Sequence, residues 1–339
     1  MTRLFLLLGL LAAALGLAAC GDDEGGSGSG DDALVVYSGR NQDLVGELLE
    51  RYRKESGTEL EIRYSDSADL AATLLEEGDN SPADVFFSQD AGALGALQKA
   101  GRLAPLPAAT LDEVDPRYRS DQGAWVGLSA RARVIAYDKR ELKERDLPRS
   151  VLDLTGDEWK GRVGWAPTNP SFESFVTALR ELRGEDEARA WLEGMVANDT
   201  KAFKNNIAVR DAIANGEVDV GLINHYYVAE AVAAEGEDYP VGVFFPPGGD
   251  PGALVNVAGG AVLKSSECQA QAQELLRWLL GRTAQEYFAG KTKEYPIAAG
   301  VRPDPALEPL ERIEQPDIDL SDLDGLQESV ELIRDSGAL

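Results

Sequence analysis

The sequence predicts an α/β protein built from two doubly wound sheets, and three observations carry that prediction. Short apolar runs alternate with longer amphipathic stretches, the order expected of strands each followed by a helix. The first amphipathic stretches stop at Gly57, Gly78 and Gly101, as helices do at a residue free to turn left-handed. The same grammar returns in the second half of a 339-residue chain, a length that suits about two domains.

Taken in order, Leu34–Tyr37 reads as a strand. Asp43–Ser56 reads as a helix, with Leu44, Val45, Leu48, Leu49 and Tyr52 on one face. Glu59–Tyr64 and Asp84–Ser88 are further strands, and Ala68–Glu77 and Ala91–Ala100 are the helices that follow them. This β-α-β-α-β-α order predicts a parallel sheet. Beyond it, Ala124–Tyr137 is long and β-rich. Arg162–Ala166 is a strand, Phe172–Arg183 a helix, Ile207–Asn215 a short helix and Val218–Ile223 a strand. More than one chain crossing between the two lobes is expected.

Composition removes several function classes. Thirty-three Lys and Arg stand against 59 Asp and Glu, for a net charge of −26, which repels phosphate backbones and argues against nucleic acid. The plain reading of that acidity is solubility. Two cysteines and one histidine cannot make a zinc motif or a Cys–His pair. An exported hydrolase would need Ser129 or Ser171 with His225, and neither serine lies in a nucleophile-elbow sequence.

The chain opens with Arg3 and an apolar run from Leu4 to Ala19, which reads as a signal peptide over residues 1–19. Leu17-Ala18-Ala19-Cys20 resembles the bacterial lipobox, which implies lipidation of Cys20 and an extracytoplasmic, membrane-anchored protein. Residues 20–32, rich in Gly, Ser and Asp, read as a flexible tether. Cys268 is then the one thiol of the folded part, on an amphipathic helix and expected to be structural and partly buried.

In open α/β sheets ligands sit beyond the carboxyl ends of strands. Four segments occupy such places: Ser38-Gly39-Arg40-Asn41, Ser88-Gln89-Asp90, Pro167-Thr168-Asn169-Pro170-Ser171 and Asn224-His225-Tyr226-Tyr227. Helix starts there suit anions. Tyr226 and Tyr227 admit two readings: core packing with hydroxyls at a rim, or two phenols converging on one hard cation such as ferric iron.

The stretches VVYSGRNQD (35–43), SPADVFFSQDAGAL (81–94), LSARARVIAYDK (128–139), VGWAPTNPSFESF (163–175), KNNIAVRDAIANGEVDVGLINHYY (204–227), DPGALVNVAGGAVLKSS (250–266) and KEYPI (293–297) together resemble the bacterial ferric-ion-binding proteins. Those are type II periplasmic binding proteins of iron(III) ABC transporters. The resemblance implies a two-lobed clamp, with residues 33–130 and 257–307 in one lobe and 131–256 and 308–339 in the other. It implies Fe(III) as cargo, Tyr226 and Tyr227 as ligands, and carbonate or phosphate as a synergistic anion. The anion would lie on Asn169, Pro170 and Ser171, with Asn206, Asn224 and Arg131 around it and Arg133 as a further neutralising charge. An ABC permease would be the partner and a monomer the working state.

The departures are specific. Asn41 stands where family members with a mixed ligand set have histidine, and Gln89 where they have glutamate, so these two remain weak metal candidates. Ser171 stands near the place of a third tyrosine found in other members. Asp90 matches an anion-contacting glutamine, which tilts the anion toward carbonate or a chelator. His225 matches a non-ligand position, expected at the surface or behind the ligands. The alternative within the same clamp is a small oxyanion, a phosphonate or chelated iron.

Overall fold

The computed structural model describes residues 33–298 and 300–339. The expected signal peptide, the Cys20 lipidation site and the tether lie outside the described residues.

Five strands and five helices build the first part of the fold in sequence order. β1 (Leu34–Ser38), β2 (Leu60–Tyr64) and β3 (Val85–Ser88) alternate with α1 (Gln42–Ser56), α2 (Ser67–Glu77) and α3 (Ala91–Lys99). After the single turn α4 (Ala108–Leu111) comes the long β4 (Val126–Asp138), then β5 (Val163–Trp165) and α5 (Pro170–Arg183). The second part holds α6 (Glu185–Ala197), β6 (Lys201–Ala202), α7 (Asn206–Ala214), β7 (Val220–Asn224), α8 (Tyr226–Glu235), β8 (Val241–Phe244) and β9 (Val255–Val262). α9 (Gln269–Leu280), α10 (Arg282–Gly290), β10 (Tyr295–Pro296) and α11 (Leu326–Asp335) complete the described elements.

Local chemistry sets the helix ends. α1 starts where Asn41 Oδ1 accepts from the Asp43 amide at 2.8 Å and ends at Gly57, whose φ of 75° closes the last turn. Its buried face is Val45, Leu48, Leu49 and Tyr52, four of the five residues its spacing nominates.

The sheet order is β2-β1-β3-β9-β4-β7-β5-β6, with β10 and β8 also paired to β4. β1 runs parallel to β2 and β3, and β5 parallel to β6 and β7. The expected parallel order holds for β1–β3, while at the centre β9 is antiparallel to β3 and β4, and β4 to β7 and β8. The reason is topological. The chain leaves the first half along β4 and returns along β9, so the two paired strands run in opposite senses.

β4 carries the crossing. Val126–Ala132 pair with β9, whereas Arg133–Asp138 pair with β7 and β8, and every residue of the strand is buried. The final segment touches both halves. Residues 320–324 lie against α3, where a Cβ on Gly92 or Gly95 would strike the Leu323 or Ser321 backbone, while Leu332 and Ile333 of α11 enter the core around Trp165, Phe172 and Trp191. Among the described residues no helix is long and apolar enough to cross a membrane.

Candidate ligand-binding cleft

A cleft of about 750 Å³ opens where all four strand-end segments converge. It brings together Asn41, Gln89, Asn169, Pro170, Ser171, Asn224, Tyr226 and Tyr227, residues up to 186 positions apart in sequence that strand ends alone nominate. Two nominated residues stand behind its surface: Asn206, which hydrogen-bonds the start of α5, and the buried Arg131. Gly39 is required here, because a Cβ would collide with Ser67, whose hydroxyl accepts from the Gln89 amide at 2.8 Å.

β7 ends at Asn224 and α8 starts at Tyr226, so the pair sits on a strand-to-helix turn at the cleft. The two rings are 4.2 Å apart at 35°. Burial pushes the Tyr226 phenol well above its ordinary value, the nearby Tyr227 adds to this, and the Arg131 guanidinium opposes it. Such a phenol ionises only against a strong positive charge.

His225 is buried rather than at the surface. Its Nδ1 accepts from the Ala132 amide at 3.1 Å, which leaves Nε2–H to donate to the Lys293 carbonyl at 3.1 Å. The ring stacks on Tyr295 at 4.5 Å and meets Tyr226 edge-on at 5.8 Å. Burial pushes its pKa down to about 4. Both nitrogens are engaged with backbone, so the ring is a neutral strut behind Tyr226 and is not free to serve Ser129 or Ser171 as a base.

Beside the tyrosines is the N-terminus of α5. Asn169 Oδ1 caps it, accepting from the Ser171 amide at 3.1 Å and the Ser171 hydroxyl at 2.6 Å, and Pro170 fills the first turn without an amide to satisfy. Asn206 Nδ2 donates to Asn169 Oδ1 at 3.3 Å and to Ser171 Oγ at 3.2 Å. Arg133 Nη1 also donates to Ser171 Oγ at 3.2 Å, with its guanidinium over Phe172 and Phe175. Arg131 and Arg133, two residues apart on β4, share a face of the sheet. Burial lowers both, Arg133 to about 9, and Arg40 lowers Arg131 further.

Several buried polar atoms on this side have no partner: Arg131 Nη1, Arg133 Nη2, Asn224 Nδ2 and Asn206 Oδ1. A buried donor left unpaired costs about 1–3 kcal/mol. Three such donors near a helix N-terminus suit a small oxyanion, which supplies several acceptors at once.

The facing wall is different. The Asn41 oxygen is held by its helix cap, and Gln89 Oε1 accepts from Arg40 Nη1 at 2.9 Å. Arg40 Nη2 meets Glu294 Oε2 at 2.7 Å in a buried ion pair. Asp90 caps α3, accepting from the Ala93 amide at 3.1 Å, and burial raises its carboxyl.

Three residues in or behind the cleft escape sequence reasoning: Arg40 as a charge, its buried partner Glu294, and Glu173. Arg40 lies inside a nominated strand-end segment, whereas its partner is 254 residues away and gives no local signal. Glu173 sits in the first turn of α5 between the core residues Phe172 and Ser174. Burial, with the Asp90 and Asp66 charges, pushes it up to about 7. Among the described residues no group of three or more His, Cys, Asp or Glu could hold a metal.

Comparison with known proteins agrees with this architecture. The family model described as bacterial extracellular solute-binding protein matches residues 80–319. The Fe(3+)-binding periplasmic protein of Serratia marcescens is 37% identical over 313 residues, 92% of each chain. The major ferric iron-binding protein of Neisseria gonorrhoeae is 34% identical over 90% of this chain and 92% of its own. Iron-bound HitA from Pseudomonas aeruginosa superposes with a TM-score of 0.83 at 36% identity, covering 90% of this chain and 99% of that one. Trichodesmium IdiA (FutA), in complex with iron and citrate, gives 0.78 at 31%, with 90% and 99% covered. These neighbours share the two-lobed α/β clamp. The chain belongs to the bacterial extracellular solute-binding proteins and, among them, to the ferric-ion-binding proteins.

Proposed function

We propose that this protein is an extracytoplasmic carrier that captures ferric iron in the cleft and delivers it to an ABC permease, without making or breaking covalent bonds. The observation that carries this reading is the convergence of Tyr226 and Tyr227 with unpartnered donors beside the N-terminus of α5. Phenolate oxygen is a hard donor that suits Fe(III). Binding displaces the phenolic protons, so affinity falls as pH falls. The similarity to iron-binding relatives supports the same cargo.

In this reading one lobe comprises residues 33–130 and 257–307 and the other 131–256 and 308–339, hinged through β4 and β9. The second lobe binds the metal through Tyr226 and Tyr227 and seats carbonate or phosphate on Asn169, Pro170, Ser171, Asn206 and Asn224, with Arg131 balancing the charge. Asn41 and Gln89 contribute little, because their side-chain oxygens already accept hydrogen bonds. The anchor is a lipid on Cys20, and the carrier works as a monomer.

Dialysis of residues 20–339 against ferric nitrilotriacetate with bicarbonate, followed by metal analysis, tests this. One iron per chain is expected, and much less in Tyr226→Phe. The unpartnered donors favour a second reading, a metal-free clamp for an oxyanion or phosphonate. Calorimetric binding of phosphate that survives Tyr226→Phe, together with no retained iron, would select it.

A further inference from the structure

The cleft separates its charges. Asn224 lines its floor and the buried Arg131 stands behind it, each 2% exposed, with Asn224 Nδ2 and Arg131 Nη1 unpartnered, enough for one small anion beside the tyrosines. Its walls are acidic: Glu173 on α5, Asp66 and Asp90 at the starts of α2 and α3, and Asp69 in the first turn of α2 all line it. Among the described residues the one cation in the lining, Arg40, is already committed to Glu294 and Gln89. Arg133 packs on the inner face of α5 and is turned to Ser171. Among the described residues Glu173 has no side-chain hydrogen bond or ion pair, and its backbone oxygen alone accepts, from Thr177.

About 750 Å³ is far more room than a metal ion and a carbonate need, so size does not keep a larger chelate out. We propose that Glu173 is a specificity-determining residue that disfavours polyanionic ferric chelates, so that the cleft prefers ferric ion with one small oxyanion over ferric citrate. This rests on the ferric reading above. The outer carboxylates of a citrate complex seated at the tyrosines meet the walls, where Glu173 and Asp66 repel them. In a partly desolvated cleft that repulsion is several-fold stronger than in water.

The test compares two affinities in one protein, for ferric ion supplied from nitrilotriacetate with bicarbonate and for ferric citrate. It is done at pH 8, where Glu173 is charged, and the ratio is read for the parent, Glu173→Gln, Glu173→Asp and Tyr226→Phe. Glu173→Gln is expected to shift the ratio about tenfold toward ferric citrate, an effect that high salt shrinks in the parent and that Glu173→Asp largely reverses. An unchanged ratio in Glu173→Gln overturns the proposal while leaving the ferric reading intact. A Tyr226→Phe protein that binds both forms as the parent does removes the ferric reading, and this proposal with it.

Discussion

The two walls of the cleft are built on opposite plans. On the wall made by α5, α7, α8 and β4, buried donors of Arg131, Arg133 and Asn224 stand unpaired beside two phenols. On the wall made by the starts of α1, α2 and α3, the polar groups are largely spent. Asn41 and Asp90 cap helices, Gln89 Oε1 serves Arg40, and Arg40 serves Glu294, and the fully buried atoms left unpaired in that set are Arg40 Nε and Glu294 Oε1. Unpaired buried donors are a standing cost that a ligand relieves, whereas satisfied ones give a ligand nothing new. The affinity of this clamp is therefore expected to reside in one wall, while the charge filter is shared, with Glu173 on α5 and the acidic starts of α2 and α3 across the cleft.

The largest expected effect tests the loaded wall. Tyr226→Phe or Tyr227→Phe should weaken ferric binding by at least about a hundredfold, since removing a metal ligand costs more than removing its hydrogen-bonded support. Competition with citrate measures it. A loss of less than about tenfold in both variants would mean that the phenols are packing.

His225 stands buried behind the same wall, and its signature is in stability. Burial holds its folded pKa at about 4, against about 6.5 for an unfolded histidine. The unfolded chain therefore binds the extra proton between those values. This contribution is present above pH 6.5 and is lost as pH falls toward 4, by up to about 3 kcal/mol. Urea unfolding at pH 7 and pH 5 should show that drop, and His225→Gln should lack the histidine's share of it.

Asn224→Ala removes one unpaired donor and should weaken the dependence of iron binding on added bicarbonate by about tenfold, the value of one charge-assisted hydrogen bond. The smallest effect belongs to the spent wall. Asn41→Ala should cost about 1 kcal/mol of stability through the lost α1 cap, while shifting ferric affinity less than about threefold. A larger shift in affinity would make Asn41 a ligand and erase the contrast between the walls.

Much of this was legible in the sequence, and the reasons are local. Strand and helix alternation and Gly stops place β1 through α3 within a residue or two, because each boundary is set by neighbours in sequence. The strand-end rule finds both walls for the same reason. What stayed hidden is long-range. The antiparallel return of β9 beside β4 is a pairing between Val126 and Gly260, which no local pattern announces. The Arg40–Glu294 pair is similar, and it decides that Gln89 is occupied. Glu173 is hidden otherwise: a carboxylate in a helix's first turn is ordinary, and only the walls brought opposite it make it a filter.

The most direct measurement is a visible absorption titration of residues 20–339 with ferric citrate in bicarbonate, repeated with Tyr226→Phe and Tyr227→Phe. A broad phenolate-to-iron charge-transfer band that either substitution abolishes is the expected result, and would fix the metal on the wall that carries the unpaired donors. No band in bicarbonate or in phosphate would contradict it, and the cleft would then be an oxyanion clamp whose paired tyrosines only pack.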